Sequence, residues 1–238
     1  MNSIADIGKL FISKNTEDPA INLNCSEFEV NNWIISDFII KKLVPVVGIK
    51  PYPLTEQVLM VAAVCRFKPS HIFEWGTNVG ISARIFYETL RYFQIESKIH
   101  SIDLPEDIDH IEHPRKKRAI LIKNIHEINL HQGDGLEVSM SIFKNLQSCN
   151  NPLFFLDGDH SYQSVKRELE GILMYCDNPV ILMHDTFFQS AESRYNIGPY
   201  KAIEEIIFAN EKHFKIVSMN SGLPGMTLIF NTKNLSMH

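Results

Sequence analysis

The sequence predicts a doubly wound α/β fold, with a mostly parallel sheet of about seven strands and an antiparallel hairpin at its C-terminal end. Three observations predict it. Short apolar runs of strand length alternate with helix-period segments from Leu54 onward. The alternation recurs at intervals of roughly 20 to 30 residues, the length of a strand, a helix and two loops. The last two apolar runs, Lys215 to Ser218 and Met226 to Phe230, have only a Gly/Pro turn between them, and so short a connection joins antiparallel neighbours.

Taken in order, Leu54, Val58, Val61, Ala62 and Cys65 recur at helical spacing, and the strand His71 to Trp75 follows and stops at a glycine. A helix with Ala83, Phe86, Leu90 and Phe93 on one face leads to the strand Lys98 to Asp103. After a charged stretch come the strand Ile128 to Gln132, a helix with Leu136, Met140, Phe143 and Leu146, and the strand Pro152 to Asp157. The next helix shows Val165, Leu169, Ile172 and Leu173 and precedes the strand Val180 to His184. Gly198-Pro199 then opens a helix with Ile203, Ile206 and Ile207, proline being pre-set for the first turn. Residues 1–53 form an N-terminal cap or substrate segment, in which Val30, Trp33 and Ile40 suggest a cap helix, and residues 54–238 form the main domain.

At 238 residues, 45% hydrophobic and 21% charged, the chain can bury one sizeable core, and disordered, collagen-like and repeat classes are disfavoured. A net charge of -5 repels duplex nucleic acid from the average surface. The cysteines Cys25, Cys65, Cys149 and Cys176 are far apart, with no CxxC pair, which suits reduced thiols in a cytoplasm. The opening MNSIADIGKLFISKNTEDPA lacks a long apolar run and a small-residue cleavage signal, so a conventional leader is not expected. The longest apolar run, Leu59 to Cys65, is far shorter than the roughly 18 residues of a membrane span. The expectation is a soluble cytoplasmic protein.

In an open α/β sheet, ligands bind outside the carboxyl ends of the strands. Glu74 lies near the first strand end, Asp103 ends the second, Asp134 follows the third, Asp157 ends the fourth and Asp185 follows the fifth. One such acid is usually a turn residue or helix cap; five in register point to a site. In FEWGTNVG, Gly76 and Gly80 flank a loop that opens a helix, where backbone can approach a ligand and N–H groups are free. The spacing is ExGxxxG, not the GxGxxG of dinucleotide sites. Asp103 follows Gly80 by 23 residues, a distance suited to a carboxylate on a ribose diol, in either a nicotinamide or an adenosyl cofactor.

ExGxxxG at Glu74 to Gly80, Asp103, GDG at Gly133 to Gly135, FLDGDHSYQSVKREL and ILMHDT together resemble a class I S-adenosylmethionine-dependent methyltransferase. The likeness runs over about residues 54–230. Within that Rossmann-like superfamily the chain is similar to the macrolide-sugar O-methyltransferase and cephalosporin-hydroxylase-like branch, and more distantly to catechol O-methyltransferase. The resemblance implies that Gly76, Thr77 and Gly80 surround the methionine moiety with Glu74 beside the loop. It also implies that Asp103 holds the ribose hydroxyls, that Asp134 and Gly135 lie against the adenine, and that Asp157 borders the cofactor. In catechol-type relatives an Asp at the fourth strand end and an Asp-Asn pair at the fifth bind a divalent cation. Asp157 and Asp185 match two of these positions; Thr186 stands at the third, and His184 flanks Asp185 as a further candidate. Two carboxylates with water would suit Mg²⁺, whereas recruiting His184 tilts the site towards Mn²⁺ or another transition metal. The relatives' catalytic lysine follows the metal-binding Asp by three residues, and the same offset lands on His160, a base whose ordinary pKa lies near 6.5. The alternative is that His160 caps or packs the following helix.

Other features read more plainly. His110 and His113 sit among Glu106, Asp107, Asp109 and Glu112 and suit a solvated loop rather than a metal pair. RKKR at Arg115 to Arg118 suits a charged helix face, offset by the neighbouring acids. Phe187, Phe188, Tyr195 and Tyr200 follow the fifth strand as a substrate lid or a packed aromatic cover. The leading function is therefore metal-assisted O-methylation of a hydroxyl on a small molecule, such as a sugar or natural product. A metal-independent transferase using His160 alone, a non-catalytic S-adenosylmethionine-binding protein and a nicotinamide enzyme are the alternatives. The expected partner is a small-molecule acceptor, without nucleic acid or membrane; a homo-oligomer is left open.

Overall fold

The computed structural model describes residues 17–20, 27–105, 107–108, 115–188, 196–210 and 213–235. His110, His113, Glu106, Asp109, Glu112, Tyr195 and Cys25 lie outside them. In chain order the elements are α1 (Asn32–Phe38), a π turn (Ile39–Leu43), α2 (Val44–Val47), α3 (Leu54–Phe67), β1 (His71–Trp75), α4 (Ile81–Tyr92) and β2 (Lys98–Asp103). They continue as β3 (Ile128–Gln132), α5 (Gly135–Lys144), β4 (Leu153–Leu156), α6 (Tyr162–Tyr175), β5 (Val180–His184), α7 (Gly198–Ile206), β6 (Phe214–Met219) and β7 (Met226–Asn231).

The sheet order is β3-β2-β1-β4-β5-β7-β6. β1 to β5 are parallel, and β7 runs antiparallel to both β5 and β6. The order reverses direction between β1 and β4, which opens a crevice outside the carboxyl ends of those strands. β1, β4 and β5 are buried along their whole length because helices cover both faces. Side chains alternate between two cores: Ile72, Phe155 and Leu182 pack under α3 and α4, while Phe73, Phe154 and Ile181 pack under α5, α6 and α7.

The N-terminal segment joins the first of these cores through Ile35, Phe38, Ile39 and Leu43. Of the residues that suggested a cap helix, Trp33 and Ile40 are 83% and 63% exposed, whereas Val30 packs partly buried against the first core. The i, i+3, i+4, i+8 series beginning at Ile35 covers more contiguous apolar surface than the Trp33–Ile40 pair and takes the core. Asn31 caps α1, its side chain accepting from the N–H groups of Trp33 and Ile34. α3 is buried on nearly every side from Glu56 to Phe67, so any polar residue on it must find a partner inside the protein. Among the described residues no helix is long and apolar enough to cross a membrane.

Candidate functional site

A cavity of about 750 Å³ opens at the crevice. Asp103 and Asp134 stand at one end, Gly76 and Thr77 along its length, and His160 and Asp185 at the other end.

The loop after β1 turns at Gly76, whose φ is +97° and whose N–H donates to the Ile102 carbonyl at 2.9 Å. A Cβ there would lie 2.2 Å from the carbonyl oxygen of Asp157, so glycine is required by the neighbouring strand end itself. Thr77 is buried, with its hydroxyl 2.7 Å from that of Ser101. Gly80, at φ +92°, starts α4 and faces the Ile122 side chain rather than the cavity wall. Glu74 also lies off the wall, fully buried beneath the loop and accepting from the Ser82 hydroxyl. Burial lifts its carboxyl to about 7, against the opposing pull of the Ser101 and Ser82 hydroxyls.

Asp103 accepts from the N–H of Asn78 at 2.9 Å and of Leu104 at 2.8 Å, one on each oxygen. A carboxylate has about four acceptor sites, so both oxygens keep room for a diol. Arg118 stands behind it, Nε 3.8 Å from Asp103 Oδ2, and also donates to the His131 carbonyl at 3.1 Å. The RKKR segment is therefore a 3-10 turn over Arg115–Lys117 followed by an inward arginine, and the expected helix face is absent there. The side chain of Arg118 is drawn in because Asp103 offers it a charge partner. Asp134 caps α5, accepting from the Glu137 N–H at 3.0 Å, and pairs with Arg167. Gly135 lies flat on Trp75, whose indole donates to Ser139 at 2.7 Å. The glycine loop, the Asp103 carboxylate and the Asp134–Gly135 edge thus line one cavity.

At the other end the acids and histidines interlock. His184, the last residue of β5, places Nδ1 2.8 Å from Asp157 Oδ1 and Nε2 3.1 Å from Glu56 Oε2. His160 places Nε2 3.2 Å from the same Asp157 oxygen and Nδ1 2.8 Å from Asp185 Oδ2. Tyr52 donates its hydroxyl to Asp157 Oδ2. Every ring nitrogen of the two histidines faces a carboxylate, and a neutral imidazole has only one N–H to donate. Burial pulls both histidines down, but the carboxylates prevail and raise each to about 10. Asp157 is pushed up by burial, yet the two imidazolium groups hold it well below the usual carboxylate range. His160 is thus protonated at neutral pH in this arrangement, whereas its unperturbed value near 6.5 was the expectation.

Asp157, His160 and His184 each bring one donor atom within 4.8 Å of the others, a spacing that fits one metal ion. Asp185 borders this group through His160, and its Oδ1 is 3.8 Å from His184 Nδ1. Tyr52 and Glu56 went unnoticed in the sequence. Tyr52 precedes α3 in a stretch with no periodic signal. Glu56 could have been found as the acid in the otherwise apolar helix LTEQVLMVAAVC. Phe188, at the start of the expected lid, is 60% exposed and packs its ring 4.8 Å from that of Tyr200.

The sheet order and its antiparallel C-terminal strands are those of the seven-stranded α/β fold that methyltransferases share. In agreement, residues 73–186 match a family model described as a methyltransferase domain. No curated protein sequence matches the chain. Among solved structures, an O-methyltransferase from Bacillus cereus in complex with SAH is 16% identical, covering 84% of this chain and 96% of that one with a TM-score of 0.56. The O-methyltransferase TomG from Streptomyces achromogenes, involved in tomaymycin synthesis and in complex with SAM, is 13% identical over 95% and 94%, TM-score 0.53. CalS11, a TDP-rhamnose 3'-O-methyltransferase of calicheamicin biosynthesis, is 15% identical over 81% and 85%, TM-score 0.51. These likenesses are of fold.

Proposed function

We propose that the protein transfers a methyl group from S-adenosylmethionine to a hydroxyl of a small molecule, a sugar or natural product, with a divalent cation in the site. The observation that carries this reading is His160 set between Asp157 and Asp185 at the end of the cavity whose other end has the Asp103 and Asp134 carboxylates. When bound, the sulfonium supplies an electrophilic methyl group, and a dication supplies positive charge that acidifies a nearby hydroxyl. Asp157, His184 and Asp185 would hold the cation. Asp103 orients the adenosyl end through its two fixed oxygens. His160 is the group placed to take the acceptor's proton at Nε2, and it does so only in its neutral form, after that nitrogen has given up its own proton. Tyr52 and the Pro51 beside it line the cavity that would take the acceptor. The sugar-modifying and natural-product enzymes among the structural neighbours support the acceptor class. Free Cys65, Cys149 and Cys176 support a reducing, cytoplasmic setting.

A metal-independent transfer is the second reading, favoured by the fact that the protein's own carboxylates already partner all four imidazole nitrogens. The deciding experiment is a screen of sugar, phenol and amine acceptors with labelled S-adenosylmethionine, run with Mg²⁺, with Mn²⁺ and in chelator. O-methylated product that needs the cation is expected. Product on amines alone would overturn the hydroxyl assignment, and full turnover in chelator would select the second reading.

A further inference from the structure

The carboxylate behind His184 distinguishes this site from a set of oxygen ligands. Glu56 comes from α3, is 2% exposed, and stays off the cavity wall that His184 lines. Its Oε1 accepts the Gly225 N–H at 2.8 Å, and its Oε2 lies 3.1 Å from His184 Nε2. Two separate elements therefore hold the carboxylate still, and it in turn fixes the ring. With Nε2–H given to Glu56, His184 directs Nδ1 at Asp157 Oδ1, 2.8 Å away. The ring is also held edge-on by Tyr52, with centroids 4.9 Å apart, and is 6% exposed, so it has little freedom to turn.

A histidine that gives its outer N–H to a carboxylate and points its other nitrogen at a neighbouring oxygen donor has the support typical of metal-bound histidines, which fixes the tautomer and makes the ring a better donor. From this geometry we infer that Glu56 sets His184 as a nitrogen ligand, and that the site consequently takes a borderline transition-metal dication in preference to Mg²⁺. Imidazole suits such ions, whereas Mg²⁺ favours carboxylate, carbonyl and water oxygens. This rests on the cation-assisted reading above, and it adds Glu56 as a positioning residue that governs which ion is held.

The test uses the full-length, metal-stripped protein with S-adenosylhomocysteine present. Calorimetry with Co²⁺, Mn²⁺ and Mg²⁺ should rank them in that order, Co²⁺ over Mg²⁺ by at least about 100-fold. Electron spin echo on the Mn²⁺-loaded protein should show coupling to ¹⁴N. The coupling should persist in His160→Gln, which removes the other imidazole, and vanish in the His160→Gln/His184→Asn double variant. Glu56→Gln should weaken Mn²⁺ binding by about 10- to 100-fold while leaving S-adenosylhomocysteine affinity near the wild-type value. Mg²⁺ held as tightly as Mn²⁺, or an echo without nitrogen coupling in the wild-type protein, overturns the inference and leaves cation-assisted transfer standing. Absence of binding by all three ions removes both together, and O-methyl transfer in chelator is then the surviving activity.

Discussion

The hydroxyl of Tyr52 donates to Oδ2 of Asp157, tying the segment ahead of α3 to the end of β4 at the centre of the site. Burial, and then the charge of Asp157, raises the phenol well above its usual value, so it remains a donor at every physiological pH. Tyr52→Phe should therefore destabilise the fold by about 1.5–3 kcal/mol, the scale of a hydrogen bond to a charged group. Urea unfolding measures it; a change below about 0.5 kcal/mol would reduce Tyr52 to a packing residue.

Asp103 has both oxygens fixed by the Asn78 and Leu104 N–H groups, with Arg118 behind it. Asp103→Ala should weaken S-adenosylhomocysteine binding by about 1.5–3 kcal/mol in calorimetry. Unchanged affinity would remove Asp103 from the ribose role.

Gly76→Val should lose cofactor binding together with stability. The added side chain meets the Asp157 carbonyl, at 2.2 Å from its Cβ, before it meets any ligand, and φ of +97° is unfavourable for valine. A drop of about 3 kcal/mol or more in unfolding free energy is expected. A variant as stable as wild type that has lost only its cofactor would show that the clash is with the ligand.

His160→Ala should bind S-adenosylhomocysteine normally and turn over about 10²- to 10⁴-fold more slowly, the usual cost of removing a general base. Wild-type turnover would assign the ring to packing.

The two histidines also set a pH dependence. Unfolded histidine titrates near 6.5, and in the folded, metal-free protein His160 and His184 titrate at about 10. Between these values the folded state binds more protons, so stability is fully present below pH about 6.5 and falls as pH rises towards about 10. Asp157, held low, contributes above the ordinary carboxylate range and is lost in acid, so the joint contribution of these three groups is greatest from about pH 4 to 6.5. Thermal melts in chelator should show the alkaline decline, and His160→Gln should flatten part of it. An equally steep decline in the variant would place the titration elsewhere.

The strands and their ends were legible in the sequence. A strand such as Val180 to His184, buried on both faces, reads as an uninterrupted apolar run, and its end is marked by the first polar residues. Because parallel strands deliver their carboxyl ends to one edge, Asp103, Asp157 and Asp185 could be placed together without coordinates. The N-terminal segment was not legible in the same way. Two apolar stripes compete there, and only contact with Phe38 and Leu43 on the α4 side shows which is buried. Nor could spacing reveal Glu56 or Tyr52, which lie 128 and 105 residues from the partners they meet, His184 and Asp157.

By itself, then, the sequence determined the alternation of strands and helices and the line of acids at the strand ends, because both follow from local periodicity and the direction of parallel strands. Tertiary structure alone decided the charge state and orientation of His160 and His184. Those depend on which carboxylates lie within about 3 Å of each ring nitrogen, and hydrogen bonds of that length join residues from α3, β4, β5 and the loops after them that no local pattern relates.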